Sequence, residues 1–348
     1  MKIGIDIRMI NNSGIGTFIK NAFPLLINKM NNDTFVLIYN ERTNNEYFKK
    51  FKNVEFLHMR SKVYSLFEQL EMIKINFLKF DLFISPNFNI PIFFNKRLIV
   101  VIHDIYFITK YNKSSFKKIY LSFFLKMINC KGTNIVTISN FTKNELISTT
   151  GYNKKDIHVN YNGVSNLFYK EKNNNIDRYI LFVGSVKENK NLKVLIRAFE
   201  ESNIGIKLFI VGNYETLRSA DERIIQRAKS NSNIFLKGEA NVDELRKYYS
   251  EAECLIFPSL YEGFGLPPIE AMSCGCPVVA SKIPSLIEVC SNAALYFNPY
   301  DWEDLTKKIH ILLNNQKIKN KIINRGFDNI KRFSWENNCN RLYEIIHK

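Results

Sequence analysis

Short apolar runs alternate along the chain with longer segments whose apolar residues recur every three or four positions. The short runs are continuous rather than alternating, which is typical of strands buried on both faces of a parallel sheet. Each run is followed by a segment long enough for a crossover helix, so the pattern predicts doubly wound α/β domains. The predicted strands are Lys2–Ile7, Phe35–Tyr39, Val54–His58, Asp81–Ser85, Leu98–His103, Asn134–Ile138, Ile157–Asn160, Tyr179–Val183, Lys207–Val211, Asn233–Leu236, Glu253–Pro258 and Pro277–Ala280.

The strands fall into two sets separated by a polar, Asn-rich stretch, FYKEKNNNIDRY, from Phe168 to Tyr179. A chain of 348 residues is also long for a single hydrophobic core. We therefore predict two Rossmann-like domains, 1–170 and 171–330, followed by a C-terminal helix in 331–348.

The net charge of +16 is concentrated in the first half of the chain. Residues 1–170 hold 24 Lys and Arg against 11 Asp and Glu, a net +13, whereas residues 171–348 hold 25 against 22, a net +3. An anionic surface would therefore be met by the first domain.

The segment NKSSFKKIYLSFFLKMINCK lies in this basic half and predicts an amphipathic helix. One helical face would carry apolar residues, with lysines elsewhere: Phe116, Ile119 or Tyr120, Phe123 and Met127, and Lys113, Lys117, Lys118 and Lys126. Two interpretations stay open, an ordinary helix that covers the sheet and a helix that lies on an anionic membrane.

Several features predict a cytoplasmic enzyme with reduced cysteines. The six cysteines form no C-x-x-C framework, and the start, MKIGIDIR, lacks the apolar core of a signal peptide. The apolar runs are much shorter than the roughly 18 residues that cross a bilayer. With five histidines and no H-x-x-x-H spacing, no metal site is predicted.

The stretch LIFPSLYEGFGLPPIEAM, from Leu255 to Met272, combines a strand end, a glycine loop and a helix start. The prolines suit the first turn of a helix, in which we place Glu270, and Gly275 suits its C-terminal cap. A loop at the carboxyl edge of a parallel sheet is where such folds bind ligands, and its glycines let an anion approach the helix N-terminus. The loop and helix residues assigned to ligand binding are Gly263, Phe264, Gly265, Leu266 and Glu270. Glu262 is placed to accept hydrogen bonds from hydroxyl groups of the ligand. A tight turn with a dipole-complementing glutamate is the structural alternative.

Three further motifs follow predicted strands. VGSVKENKNL places Gly184 at a strand end and Lys190 near a helix start, where an ammonium group can bind a diphosphate. NNSGIGTF opens a helix with Gly14 and Gly16, which suits either a close approach to a ligand or an ordinary strand-to-helix turn. His103 ends the strand LIVVIH and is either a site residue or a hydrogen-bonded structural histidine.

Together these motifs resemble the retaining glycosyltransferases of family four. The resemblance covers nearly the whole chain: SLYEGFGLPPIEAMSCGCPVVAS carries the family's two glutamates, and VGSVKENKNL, IDIRMINNSGIGTF, VIHDI, YNGV and FSWENN match other family segments. It implies the GT-B fold, in which two Rossmann-like domains face a central cleft. The family often has arginine where Asn189 stands, so a second cation for the diphosphate would come from elsewhere, with Lys187 as one option.

The resemblance also implies roles for the residues. Glu270 would bind the ribose and Glu262 the transferred sugar, with Glu262 and His103 as the catalytic pair. The N-terminal domain would bind a saccharide or lipid-linked saccharide acceptor, and the C-terminal domain a nucleotide sugar, without a metal or other cofactor. The forms SGIGTF and YEGFGLPPIEAM resemble mannosyltransferases of bacterial surface polysaccharide assembly, which makes GDP-mannose the first donor to test. The enzyme would be cytoplasmic or peripheral at the inner face of the membrane.

Other functions stay open. Rhamnose, glucose or N-acetylhexosamine donors fit the same motifs, because the base pocket has no legible signature. From other classes, the charge alone fits a nucleic-acid-binding protein, although no recognition motif is present, and the fold also fits a nucleotide-sugar epimerase.

Overall fold

The computed structural model describes residues 1–109, 114–172, 178–202, 204–214 and 222–348. Lys113 and residues 173–177 of the polar stretch lie outside the described residues. The chain forms two compact units: unit 1 comprises Met1–Gly163 and Trp335–Lys348, and unit 2 comprises Val164–Ser334. The chain leaves unit 1 at Gly163, ahead of the polar stretch where the sequence analysis placed the boundary.

Strands and helices alternate through most of the first 163 residues, although the described residues between the strands Leu82–Ser85 and Arg97–Ile102 form no helix. The strands are Lys2–Asp6 (β1), Thr34–Tyr39 (β2), Val54–His58 (β3), Leu82–Ser85 (β4), Arg97–Ile102 (β5), Asn134–Thr137 (β6) and Ile157–Val159 (β7). The helices are Ser13–Lys29 (α1), Leu66–Met72 (α2), Ser115–Cys130 (α3) and Asn140–Thr150 (α4), and single 3₁₀ segments span Glu46–Phe48, Ile73–Leu78, Tyr106–Ile108 and Lys154–Asp156.

The same alternation continues through unit 2. Its strands are Tyr179–Val183 (β8), Lys207–Val211 (β9), Ile234–Gly238 (β10), Cys254–Phe257 (β11), Val278–Ser281 (β12) and Ala294–Phe297 (β13). Its helices are Leu192–Glu201 (α5), Glu222–Ser230 (α6), Val242–Glu251 (α7), Leu266–Ser273 (α8), Pro284–Cys290 (α9), Trp302–Asn314 (α10) and Gln316–Asn329 (α11), with 3₁₀ segments at Glu188–Lys190 and Ile330–Arg332. The last helix, Trp335–Ile346 (α12), belongs to unit 1.

Each unit is built on one parallel sheet. The strand order is β3-β2-β1-β4-β5-β6-β7 in unit 1 and β10-β9-β8-β11-β12-β13 in unit 2. Most of the apolar strands are buried as their pattern predicts; β8, for example, buries Tyr179 to Phe182 completely. The prediction of burial on both faces was wrong for the edge strands β3 and β10, which are partly exposed. The prediction of doubly wound parallel-sheet domains is confirmed.

One strand was missed. β13 pairs in parallel with β12 at the edge of the sheet of unit 2, with its two end residues buried and its two middle residues partly exposed. Its sequence, Ala294–Phe297, is short and lacks the continuous run of β-branched residues that identified the others.

The first and last residues of unit 2 lie side by side. Val164 forms an isolated parallel bridge with Ser334, and the Val164 amide donates to the Phe333 carbonyl at 3.2 Å. The α12 helix then packs on α1 within unit 1, where Trp335 meets Phe18 edge to face with ring centroids 6.2 Å apart.

Candidate active site

The sheet of unit 2 has a topological switch point between β8 and β11. From β8 the chain proceeds outward to β9 and β10, whereas from β11 it proceeds the other way to β12 and β13. The loops that leave the carboxyl ends of β8 and β11 therefore diverge and leave a crevice between them, which is where open α/β sheets bind ligands. The predicted motifs VGSVKENKNL and SLYEGFGLPPIEAM are these two loops.

An ion pair joins the two loops. Lys190 Nζ lies 2.6 Å from Glu262 Oε1, and the two side chains are only 19% and 12% exposed. The ammonium group also lies 5.3 Å from the centre of the Phe257 ring, at the end of β11. The residues predicted to hold the diphosphate and the transferred sugar are thus neighbours, 72 positions apart in sequence.

Two asparagines tie the loops at the backbone level. The Asn189 carbonyl accepts from the Leu260 amide at 2.8 Å, and its side-chain Nδ2 donates to the Tyr261 carbonyl at 3.3 Å. Asn189, which stands where the family often has arginine, therefore uses its side chain to hold the Glu262 loop.

Asn191 adds a second tether that the sequence analysis missed. It has a left-handed backbone, φ 52°, and its Nδ2 donates to the carbonyls of Pro258 at 3.1 Å and Pro299 at 2.7 Å. The position of Asn191 just before a helix was the one indication in the sequence, because asparagine adopts a left-handed backbone more readily than most other residues. Its two acceptors, by contrast, could not be read from sequence.

Two glycines of this edge are required by the backbone. Gly265, before α8, has φ 102°, and a Cβ there would lie 2.8 Å from a Leu286 methyl group. Gly212, after β9, has φ 143°, and its Cβ would lie 2.2 Å from the carbonyl oxygen of Gly184 after β8. Gly212 was not predicted; its signal is the repeated ending of β8 and β9, FVG and IVG.

Helix α8 begins at Leu266, with both prolines in its first turn, and Gly275 follows it with φ 72°. Glu270 is therefore in the second turn, and its placement in the first turn was wrong. The helix starts one residue before Pro267, which moves Glu270 one position further from the N-terminal amide groups.

Glu270 has a partner that was not predicted. The hydroxyl group of Tyr249, on α7, donates to Glu270 Oε2 at 3.0 Å. Burial raises the pKa of Glu270 to about 7, and the Tyr249 hydrogen bond offsets part of that rise. Tyr249 itself is completely buried, so α7 orients one oxygen of this carboxylate. Tyr249 lies 21 residues away on another helix and carries no motif.

The Phe264 ring lies in the protein interior. It is buried and meets Phe333 edge to face, with centroids 5.5 Å apart. Any contribution of Phe264 to a ligand would come from its backbone, beside Gly263 and Gly265, and its ring anchors the loop.

Gly14 and Gly16 lie in the first turn of α1, within unit 1. A Cβ on Gly16 would lie 2.2 Å from the Ile10 carbonyl oxygen, whereas one on Gly14 would meet no atom within 4 Å. Close packing thus explains Gly16, and Gly14 has open space beside it.

His103 follows the last residue of β5. Its Nε2 lies 3.0 Å from the Pro86 carbonyl oxygen, so this nitrogen carries the proton and donates, and the ring meets Phe18 edge to face at 5.5 Å. Burial lowers the pKa of His103 to about 4, with the Pro86 hydrogen bond acting in the opposite direction. The imidazole is neutral near pH 7.

A buried ionic cluster of unit 1 was also missed. Arg8, just after β1, binds Asp6 at 2.6 Å and Glu68 at 2.5 Å, with all three side chains buried. Burial by itself lowers the pKa of Arg8, but the two carboxylates outweigh it and raise that pKa. The signal was the charged pair inside IDIR, an apolar strand end.

Within the described residues, no group of three or more His, Cys, Asp or Glu side chains is arranged to hold a metal ion. In the same part of the chain, no helix is both long enough and apolar enough to cross a membrane.

Two family models match the chain. One, described as "Glycosyl transferases group 1", matches residues 165–328, and one described as "Glycosyltransferase Family 4" matches residues 36–166.

Curated relatives match by sequence. The O-antigen chain mannosyltransferase RfbU of Salmonella typhimurium is 32% identical over 275 residues, which cover 78% of this chain and 76% of the relative. The O-antigen chain mannosyltransferase B of Escherichia coli is 32% identical over 163 residues, 46% of this chain and 43% of the relative.

Solved structures share the fold at low identity. The Anabaena protein Alr3699/HepE, crystallised with UDP and glucose, superposes with a TM-score of 0.82 at 15% identity over 100% of both chains. WaaG, a glycosyltransferase involved in lipopolysaccharide biosynthesis, superposes with a TM-score of 0.75 at 13% identity over 99% of both chains. With one parallel sheet in each unit, Glu262 on a switch-point loop, Glu270 on the helix that follows it, and 32% identity to RfbU over 78% of its length, this chain belongs to the family-four (group 1) glycosyltransferases and has their GT-B fold.

Proposed function

We propose that this glycosyltransferase moves a hexose from a nucleoside-diphosphate sugar to a saccharide or lipid-linked saccharide of a surface polysaccharide, with retention of anomeric configuration. Mannose from GDP-mannose is the first donor to test, because the relatives RfbU and O-antigen chain mannosyltransferase B are named mannosyltransferases. The observation that carries the proposal is the Lys190–Glu262 ion pair between the two loops of the β8–β11 switch point, with Glu270 on the helix that follows the second loop.

Each side chain has a chemical task in this proposal. Lys190 and the positive end of the α8 helix dipole stabilise the charge that develops on the departing diphosphate. Glu270 accepts the ribose hydroxyls, and Glu262 accepts hydroxyls of the transferred sugar. The incoming hydroxyl attacks from the side on which the diphosphate departs, so no protein nucleophile takes part and the proposed reaction uses no metal.

The donor is tested first by thermal shift with a panel of GDP-, UDP- and dTDP-sugars, because a ligand that binds the folded state stabilises it by mass action. The unfolding temperature should rise most with GDP-mannose. A larger rise with another sugar nucleotide would identify that nucleotide as the donor instead of GDP-mannose. No rise with any of them would contradict the assigned site.

The stereochemistry is tested with the donor so identified and a panel of synthetic saccharide diphosphate lipids. The proton spectrum of the product should show the anomeric configuration of the donor. Conversion of the donor to an isomer without acceptor would indicate an epimerase instead.

We further propose that unit 1 binds an anionic membrane surface, which would present a lipid-linked acceptor. Helix α3 carries two apolar rows. The row Leu121, Phe124, Leu125 and Ile128 is buried against the unit 1 core. The other row is the one expected from the sequence, and it faces outward. Its residues Phe116, Ile119 and Phe123 are 76%, 69% and 49% exposed.

Two neighbouring segments extend this outward row. Phe67, Leu70 and Phe77, in and after α2, and Phe93 are also exposed. The segments adjoin, since Asn76 donates to the Phe93 carbonyl at 3.0 Å and Tyr120, on α3, donates to Asn89 at 2.8 Å. We call these seven residues the aromatic face: Phe67, Leu70, Phe77, Phe93, Phe116, Ile119 and Phe123.

The aromatic face is bordered by lysines, including the exposed Lys74, Lys117 and Lys118. Exposed apolar side chains beside cationic ones suit a bilayer with anionic headgroups, to which each nearby lysine contributes about 1 kcal/mol.

Vesicle sedimentation tests the membrane proposal. The protein should sediment with phosphatidylglycerol-containing vesicles and less with pure phosphatidylcholine. Combined Lys117→Gln and Lys118→Gln should weaken binding about 30-fold, from roughly 2 kcal/mol, and Phe116→Ser with Phe123→Ser should weaken it on both vesicle types. The control Tyr300→Ser alters an exposed aromatic residue of unit 2 and should change nothing. Equal binding by all variants would contradict the proposal.

A further inference from the structure

In the function proposed above, on which this inference rests, Lys190 binds the donor diphosphate, and it already has an anionic partner in Glu262. Lys190 Nζ lies 2.6 Å from Glu262 Oε1. Phosphate oxygens bound to the same ammonium group would lie within a few ångströms of a carboxylate of like charge. A diphosphate must therefore displace Glu262 from Lys190 or bind beside it against electrostatic repulsion.

The pair is held in place by the protein around it. Both side chains are less than one-fifth exposed, so water screens them less than it screens a surface pair. The residue before Lys190 binds the two residues before Glu262, through the Leu260 amide and the Tyr261 carbonyl. Because these backbone contacts fix both loops, the carboxylate can leave the ammonium group only by rotation of its own side chain.

An intact donor and a free nucleoside diphosphate differ in whether they offer Glu262 new hydrogen bonds in place of its lost ion pair with Lys190. The sugar of the donor supplies hydroxyl donors, so a displaced Glu262 exchanges an ionic partner for charge-assisted hydrogen bonds. A nucleoside diphosphate without a sugar leaves the displaced carboxylate uncompensated, which is costly for a partly buried charge.

We propose that Glu262 discriminates between the donor and the nucleoside diphosphate product. By competing for Lys190 it weakens binding of the product, and once the sugar has been transferred the Lys190–Glu262 pair re-forms as the product leaves. Glu262 thus limits product inhibition, a role distinct from holding the transferred sugar.

Isothermal titration with GDP and with UDP tests this inference. Glu262→Gln keeps the shape of the side chain and removes its charge. It should bind the nucleoside diphosphate that wild type prefers about 3- to 30-fold more tightly, the range expected for a close, partly buried charge pair. The control Glu270→Gln also removes a carboxylate from this edge, but one bound to Tyr249 rather than to a cation, and it should bind more weakly than wild type.

A second comparison isolates the ion pair. In a Lys190→Met background, Glu262→Gln should strengthen nucleoside diphosphate binding by a smaller factor than in wild type, because competition for the cation is gone and only repulsion between the carboxylate and the diphosphate remains. Glu262→Ala, checked by its melting curve, replaces Glu262→Gln if the latter is misfolded. Unchanged or weaker binding by Glu262→Gln in the wild-type background would overturn the inference.

The two proposals fail in different ways. If wild type binds neither GDP nor UDP, the donor site itself is misassigned and the inference falls with it. If wild type binds and Glu270→Gln weakens that binding, but neutralising Glu262 does not strengthen it, only the role of Glu262 in product release is wrong.

Discussion

Glu270 shows how one side chain combines structural and functional demands. The Tyr249 hydroxyl group fixes one of its oxygens, and burial raises its pKa to about 7. A carboxylate held in this way is oriented before a ligand arrives, which reduces the cost of ordering it on binding.

Replacement of Glu270 by alanine should weaken donor binding by about 2–4 kcal/mol, because two ribose hydroxyls lose a charged acceptor. The value is measured from kcat/KM at donor concentrations below KM. The Tyr249→Phe variant is the matched control, since it keeps the carboxylate and removes only the orienting hydroxyl group; its loss should be smaller. A Glu270→Ala enzyme with a near-normal rate at low donor concentration would contradict the ribose assignment.

At the scale of elements, the start of α1 distinguishes packing from ligand approach. Gly14 and Gly16 look equivalent in the sequence GIG, yet only Gly16 lies against a backbone carbonyl, that of Ile10. Backbone atoms cannot move aside as a flexible side chain can.

Substitution by alanine should therefore affect stability differently at Gly16 and at Gly14. Gly16→Ala should lower the free energy of unfolding by about 1–3 kcal/mol through overpacking, whereas Gly14→Ala should leave it unchanged or raise it by up to about 1 kcal/mol, because alanine favours helix. Urea denaturation measures both. If Gly14→Ala keeps its stability and loses activity, Gly14 is required for ligand approach; equal destabilisation by both variants would contradict the packing argument.

At the scale of the whole molecule, one buried group in each unit should make stability depend on pH, and the two groups act in opposite directions. In unit 1, the folded-state pKa of His103 is about 4, below its ordinary value, so stability is lost as pH falls from about 6.5 toward 4. In unit 2, the folded-state pKa of Glu270 is about 7, above its ordinary value, so stability is lost as pH rises from about 4.5 toward 7. Each group should contribute about 3 kcal/mol across its window, because a pKa difference of one pH unit corresponds to about 1.4 kcal/mol.

The chain has a natural reporter for each unit, because its two tryptophans are Trp335 in unit 1 and Trp302 in unit 2. Single-tryptophan variants, Trp302→Phe and Trp335→Phe, allow fluorescence to follow each unit during denaturation between pH 4 and pH 8. Adding Glu270→Gln should flatten the rising-pH loss seen by Trp302, and adding His103→Gln should flatten the falling-pH loss seen by Trp335. Unaltered slopes would show that these groups do not carry the linkage.

Local pattern was enough for much of this protein. A continuous apolar run favours a strand buried within a sheet, so twelve strands and the doubly wound class followed from sequence, as did the two prolines in the first turn of α8. The edge strands β3 and β10 are partly exposed all the same. The spacing of Glu262 and Glu270 also identified the loop and the helix that carry them. These inferences involve residues close together along the chain, whose conformation depends on their own side chains and backbone.

Tertiary structure decided what depends on contacts between distant segments. The pairing of Lys190 with Glu262, the hydroxyl group that orients Glu270, the carbonyls that hold Asn191 and the difference between Gly14 and Gly16 each arise where the fold brings separate segments together. The edge strand β13 belongs with them, because its short sequence becomes a strand through pairing with β12. Distance along the chain carries no information about such contacts, and the competition proposed for Lys190 could be recognised only in the folded protein.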